Sequence, residues 1–240
     1  MPNITLGQQT ISYSVQKSQR ARYVRLKISP EDGLQVIVPV GAEINIEEFI
    51  HKNTRWILKH HNRIEQAKQE IPRRSYQPGE IFLFLGEKRR LNIENKARGK
   101  LTTIILDTDA IHVRVGTDGR PNDPDFIRAA LESWYRAQAK AYIGPRVAIL
   151  AEQHGFEYEK VTIKGQNTRW GSCSVKRNLN FNWKLMMTPP AAIDYVIIHE
   201  LCHLREMNHS KKFWKLVARY CPDYKTWVKW FKLNGTNLIL

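Results

Sequence analysis

The stretch from Ile197 to Trp214, IIHELCHLREMNHSKKFW, holds three histidines, two glutamates and a cysteine. His199, Glu200 and His203 form H-E-x-x-H. At about 100° per helical residue, two imidazoles four positions apart stand roughly 40° from each other, one turn above the other. Side chains so placed can converge on one metal ion. Glu200 lies beside them but projects elsewhere, which suits a general base acting on a water whose pKa a metal has lowered. Chance yields this five-residue pattern in roughly one chain of this size per hundred or fewer.

A catalytic zinc takes three protein ligands and keeps one position open. His209 is the candidate third ligand. It follows His203 by six residues, too far round for a straight helix, so the chain must turn. Asn208 is expected to make that turn, because asparagine tolerates the left-handed conformation. The full spacing, H-E-x-x-H-x-x-x-x-x-H, is that of the metzincin signature, which has glycine where this chain has Glu206. The turn must therefore be made differently here. Cys202 sits about 100° from its helical neighbours and is expected to pack behind the site. Cys173 has no free histidine to activate it, since those nearby are committed to metal. The pair His60 and His61 reads as a solvated helix face.

These residues need a scaffold, and the chain reads as α+β. QTISYSV, ARYVRLKIS and GLQVIVP are short strands, with a turn at Pro30–Gly33. An amphipathic helix follows over about 46–69 and is broken at Ile71–Glu80. Two more strand pairs occupy 80–95 and 100–115. The loop Gly116–Asp125 sets the expected boundary between a β-rich N-terminal region, 1–120, and a catalytic domain, 121–240. Past it comes one long helix, kinked or interrupted at Gly144–Pro145 and ending at Gly155. EKVTIKGQ, RWGSCS and NLNFNWKLMM read as three short strands. TPPAAIDYVIIHELCHLRE is the histidine helix, with prolines at its start and a packing face of Ile193, Val196, Ile197, Leu201 and Leu204. SKKFWKLVARY and DYKTWVKWFKL are two further helices. No internal repeat is visible.

No apolar run is long enough to cross a membrane, and the N-terminus shows no secretory pattern. Three cysteines without paired spacing predict no disulfide framework, which suits the cytoplasm. The formal charge is +15. Up to Arg120 there are 20 Lys and Arg against 13 Asp and Glu, and after it 18 against 10. Charge spread so evenly attracts nucleic acid without specificity, and is equally a plain solvated surface. Nucleic acid is thus one candidate partner, and nothing here sets an oligomeric state.

Three motifs carry a family resemblance. TRWGSCS (Thr168–Ser174), NWKLMMTPPAAIDYVIIHELCHL (Asn182–Leu204) and NHSKKFW (Asn208–Trp214), in that order, resemble the YgjP-like metallopeptidase domain, a bacterial relative of the SprT-like zinc proteases. The likeness is close over the second half, and the N-terminal β-rich part with RWILKHHNRI fits the usual layout. It implies a zincin-like fold whose active-site helix carries His199, Glu200 and His203, with His209 as third zinc ligand. In zincin folds a sheet edge runs above that helix, and an extended peptide can add to it as a strand. RWGSCS is placed to lie there. Gly171 would allow close backbone approach, and Arg169 and Ser172 are further substrate-binding candidates. Arg169 either stabilises an oxyanion or binds a phosphate or carboxylate, or pairs with an acidic side chain. Trp170 is expected in the core.

Three functions fit these residues. The first is zinc-dependent hydrolysis of a polypeptide, with Glu200 as base. The second is hydrolysis of a phosphoanhydride such as a nucleoside triphosphate, although the chain has no phosphate-binding glycine loop and no carboxylate cluster for magnesium. The third is a non-enzymatic, zinc-stabilised nucleic-acid-binding module, its site closed by Cys173. Glu200 separates them, because a structural zinc site needs no base.

Overall fold

Alternating apolar residues close a small sheet in the first part of the chain. The computed structural model describes residues 1–29, 32–70, 74–96, 98–166, 168–238 and 240. The chain divides into two compact units, Met1–Pro72 and Arg73–Leu240. In the first, β1 (Asn3–Leu6), β2 (Gln9–Ser18), β3 (Arg25–Ser29) and β4 (Gly33–Pro39) form one sheet in the order β1-β2-β4-β3. Ile4, Leu6, Ile11, Tyr13, Leu34, Val36 and Val38 face inward and pack with Ile50 and Ile57 of two helices. Pro30 and Glu31 of the expected turn, and residues 71–73 of the expected break, lie outside the described residues.

The single helix expected over about 46–69 is two: α1 (Ile46–Lys52) and α2 (Thr54–Glu70). Asn53 leaves the helical conformation between them, at φ −107° and ψ 14°. Its side-chain amide donates to Phe49 O at 2.8 Å, and Thr54 Oγ1 donates to His51 O at 2.7 Å. Short polar side chains thus compete for backbone groups that a continuous ladder would use. Apolar periodicity alone cannot register such a break.

The second unit opens with a sheet of β5 (Ile81–Phe84), β6 (Glu87–Asn95), β7 (Thr103–Leu106) and β8 (Ala110–Val115), ordered β5-β6-β8-β7. Its central pair is parallel and its outer pairs antiparallel, as in the first sheet. Each sheet is two hairpins joined side by side and followed by helix. The repeat that the sequence does not display is therefore present as topology.

The boundary expected at Gly116–Asp125 does not separate two cores. Phe82, Phe84, Leu91, Ile111 and Val113 share one core with residues of α3 (Pro124–His154), including Ile127, Leu131, Tyr135 and Ala139, spaced four apart. Tyr135 Oη donates to Leu83 O at 2.6 Å, and Leu85 N donates to Met186 O at 2.6 Å. The polar loop is a connection over one core, and its composition resembles that of a linker for this reason. α3 also continues through Gly144–Pro145. Pro145 is exposed, as is Ala141, whose carbonyl loses its partner, so the lost bond falls on the solvent side. Gly155 then ends the helix in the left-handed conformation, φ 64°.

β9 (Lys160–Lys164), β10 (Gly171–Cys173) and β11 (Asn178–Asn182) make a third sheet, ordered β10-β11-β9. The expected third strand runs on to Met187, but Trp183–Met187 is a 3-10 turn, capped by the Asn182 side chain accepting from Lys184 N. Three helices complete the unit: α4 (Pro190–Cys202), α5 (Lys211–Tyr220) and α6 (Tyr224–Asn234).

Tyr135→Phe tests the shared core. Loss of the bond to Leu83 O should cost about 1 kcal/mol, read as a lower urea midpoint by tryptophan fluorescence. An unchanged midpoint would argue that the sheet and α3 are not held together this way.

Candidate functional site

α4 carries the chemistry and is nearly surrounded. Ile193, Val196, Ile197 and Leu201 are buried as the spacing predicts, and Ala192, Tyr195, Ile198, Glu200 and Cys202 are buried as well. Its start is held by Arg146 of α3, whose Nε and Nη2 donate to the two Asp194 oxygens, each at 2.7 Å. A bidentate pair of this kind fixes direction as well as distance. The helix was expected to reach Glu206 but ends at Cys202, with His203 as its C-cap.

The return to His209 is made without a left-handed residue. Among described non-glycine residues only Tyr76, Leu85 and Arg177 have positive φ, so the role expected of Asn208 is not used. Instead Leu204 N and Arg205 N donate to Leu201 O and Cys202 O, and His203 Nδ1 donates to Glu206 O at 3.0 Å. Glu206 thus takes part through its carbonyl, which any residue supplies. Arg205 clamps the turn: it donates to Tyr220 Oη at 2.8 Å and Gly155 O at 2.7 Å, and lies 4.2 Å over the Phe156 ring. Ser210 then caps α5 through its hydroxyl, which accepts from Phe213 N.

The structure brings His199, His203 and His209 together. One ring nitrogen from each lies within 4.8 Å of the others, and His199 Nε2 and His209 Nε2 are 3.0 Å apart. Two nitrogens bound to one tetrahedral ion at their usual bond length stand about 3.3 Å apart, so little movement is needed. The bond from Nδ1 leaves the His203 Nε2 lone pair free. Burial, with repulsion from His203 and His209, pushes His199 down to about 3. Burial lowers His203 as well, opposed by its bond to Glu206. His199 Nδ1 is buried with no hydrogen-bond partner among the described residues. Three imidazoles gathered at one point fit a divalent metal. Among the described residues the set contains three groups, and Cys173 is not one of them.

Glu200 meets β10 at Gly171. A Cβ at that glycine would come 2.6 Å from Glu200 Oε1 and 2.7 Å from its Cγ. The glycine does allow a close approach, but the approaching group is the glutamate. Burial raises the Glu200 carboxyl to about 8, against the opposing pull of Arg169. A metal cation alongside would lower it again.

A cavity of about 580 Å³ joins these groups. Arg169, Gly171 and Ser172 line it with Glu200 and the three histidines, so all the residues singled out by sequence meet in one place. Ser172 Oγ accepts from Asn180 Nδ2 at 3.2 Å. Cys173 also lines the cavity, but burial and the nearby Glu200 push its thiol up to about 11, unfavourable for a nucleophile. Cys202 is fully buried behind the site, as its position predicts. Trp170 packs against the core but also lines the cavity.

Sequence reasoning missed several residues. Phe213 is fully buried and stacks on His203, at 4.4 Å and 24°, with edge contacts to His199 and His209. Tyr195 precedes His199 by four residues, a spacing that signals a shared face. Val228 and Phe231 of α6 line the same cavity, and no local pattern points to them.

A family model, the YgjP-like metallopeptidase domain, matches residues 22–234. No curated protein matches the chain. Two solved structures are similar over part of it. The metallopeptidase zymogen jannalysin of Methanocaldococcus jannaschii is 22% identical with a TM-score of 0.33, covering 37% of this chain and 94% of its own. The metallopeptidase zymogen abylysin of Pyrococcus abyssi is 19% identical with a TM-score of 0.36, covering 40% and 99%.

Two outcomes are expected. Gly171→Ala forces a Cβ onto Glu200 and should destabilise the fold by about 1–3 kcal/mol, measured by urea unfolding; a neutral effect would mean that Glu200 sits elsewhere. In the metal-free protein the two buried histidines should weaken the fold in mild acid, opposed by the raised Glu200 carboxyl, which the folded state protonates more readily than the unfolded chain. The folded state holds His199 and His203 below their unfolded value of 6.5, so it binds fewer protons there than the unfolded chain. Their contribution is present above pH 6.5 and is lost as pH falls from there toward 3. Wild type should therefore lose more stability between pH 7.5 and 5 than His199→Gln, and equal slopes would contradict the assignment.

Proposed function

This chain belongs to the YgjP-like metallopeptidase domain family, and we propose that it is a zinc-dependent peptidase acting on polypeptides. His199, His203 and His209 are the zinc ligands and Glu200 is the general base. The observation that carries this reading is the convergence of three imidazoles beside a buried carboxyl in one cavity, with no fourth protein ligand among the described residues.

Zinc held there supplies Lewis acidity, acidifying a water and polarising the scissile carbonyl. Glu200 takes a proton from the attacking water and carries it to the leaving amine. Burial strengthens its hold on that proton while a zinc cation beside it would weaken it, so the carboxylate can take the proton and then give it up. Phe213 and the Glu206 carbonyl hold the imidazoles in place before substrate arrives. Arg169 stabilises charge developing on the substrate carbonyl. β10 is an edge strand beside α4, so an extended peptide can pair along Gly171 to Cys173, with Ser172 facing it.

The cavity's charge favours peptide over phosphoanhydride. Among its lining residues Arg169 is the one lysine or arginine, and Glu200 would repel a polyphosphate. A closed structural site is disfavoured because Cys173 stands outside the histidine group. Among the described residues no helix is long and apolar enough to cross a membrane.

The test is one mixed incubation read by mass spectrometry. Zinc-loaded wild type and Glu200→Gln each meet an unfolded protein and a nucleotide pool, with and without DNA. New peptides are expected from wild type, with at least a hundredfold less from Glu200→Gln at equal zinc content. New nucleoside monophosphates without peptides would replace this reading with phosphoanhydride hydrolysis. A DNA requirement would give the basic surface a role.

A further inference from the structure

The wall of the cavity opposite the polar groups is aromatic and apolar. Trp170, Tyr195, Val228 and Phe231 line it together with the catalytic residues. Trp170 and Phe231 pack with ring centres 5.0 Å apart, and Tyr195 lies 6.2 Å from Phe231. The indole is fixed from behind: a Cβ at Gly235, just past α6, would come 3.2 Å from Trp170 Cζ2. This wall is braced by β10's approach, α4 and α6, not by a loose loop. Yet Val228 remains 40% exposed, an aliphatic side chain facing open space beside a reaction centre.

Its distance from that centre is set by α4. Tyr195 and His199 are four residues apart, about 6 Å along the axis, and their rings are 5.9 Å apart. A side chain on a residue flanking the scissile bond can reach that far, whereas the next residue on the same face of an extended chain starts about 6.6 Å further along. Beyond Val228 the surface continues into a shallower groove of about 280 Å³, lined by Trp214, Tyr224 and Lys225, with the two rings stacked at 22°. The groove shares Val228 with the main cavity, so a bound chain could run on past it.

Resting on the peptidase reading above, we infer that this wall is a side-chain pocket that selects a bulky apolar residue flanking the scissile bond, with Val228 and Phe231 as specificity-determining residues. The occupant is a leucine, methionine or phenylalanine side chain of an extended polypeptide. Burial against the wall removes apolar surface from water on both sides, while a charged side chain there would lose its hydration next to rings that cannot replace it.

The experiment digests a denatured proteome with zinc-loaded enzyme and reads the new termini by mass spectrometry. Wild type should enrich leucine, methionine and phenylalanine roughly tenfold or more at one of the two positions flanking the cut. Val228→Asp places a carboxylate in the wall at an exposed position, and should shift that same position toward lysine and arginine. Phe231→Ala should weaken the apolar preference by raising KM with kcat little changed. A flat profile from an active wild type, or a profile unmoved by Val228→Asp, would overturn the pocket and leave the peptidase reading standing. A zinc-loaded wild type that cuts nothing would overturn both. Equal zinc content and unfolding midpoints across the variants exclude a folding defect.

Discussion

Phe213 has no exposed surface and touches all three imidazoles at once, flat against His203 and edge-on to His199 and His209. The three histidines come from two sides of a turn, α4 and the segment before α5, and this ring makes them one packed unit. The rest of the second unit serves that packing. Arg146 fixes the start of α4 through Asp194, and Arg205 ties the turn to the end of α3. An error of an ångström in any of these would spread the nitrogens apart, because close-packed interiors pass strain on and do not absorb it.

Burial also sets the chemistry. The same apolar surroundings that keep His199 unprotonated raise Glu200 and hold Cys173 as a thiol. Burial thus acts on each group in its own direction: it leaves His199 with its lone pairs, strengthens the Glu200 carboxyl's hold on a proton, and keeps the Cys173 thiol protonated. The net charge of +15 has little to do with this, since Arg169 is the one lysine or arginine lining the cavity.

Much of the site was legible because its information is local. H-E-x-x-H fixes two imidazoles by helical geometry alone, and the strand and helix patterns around it lie close to where they were expected. What failed depended on tertiary contacts or on backbone detail. The polar loop Gly116–Asp125 looks like a linker, yet Tyr135 bonds to Leu83 across it. Asn208 has the right chemistry for a left-handed turn, but hydrogen bonds to Leu201 O, Cys202 O and Glu206 O made one unnecessary. Gly171 was expected to admit a substrate backbone, and only the fold shows that Glu200 packs against it. Val228 and Phe231 could not have been found at all, since nothing local ties α6 to a helix thirty residues away. The shared strand order of the first two sheets is likewise a property of pairing, which residue identity does not record.

The central claim is that three histidines hold one metal and leave it open to substrate. X-ray absorption of the zinc-loaded protein tests it most directly, because sulfur and nitrogen neighbours differ in distance by about 0.2–0.3 Å. Three imidazole nitrogens and at least one further light-atom donor are expected, with no sulfur. A zinc–sulfur shell would put Cys173 in the fourth position, closing the site, and would contradict it.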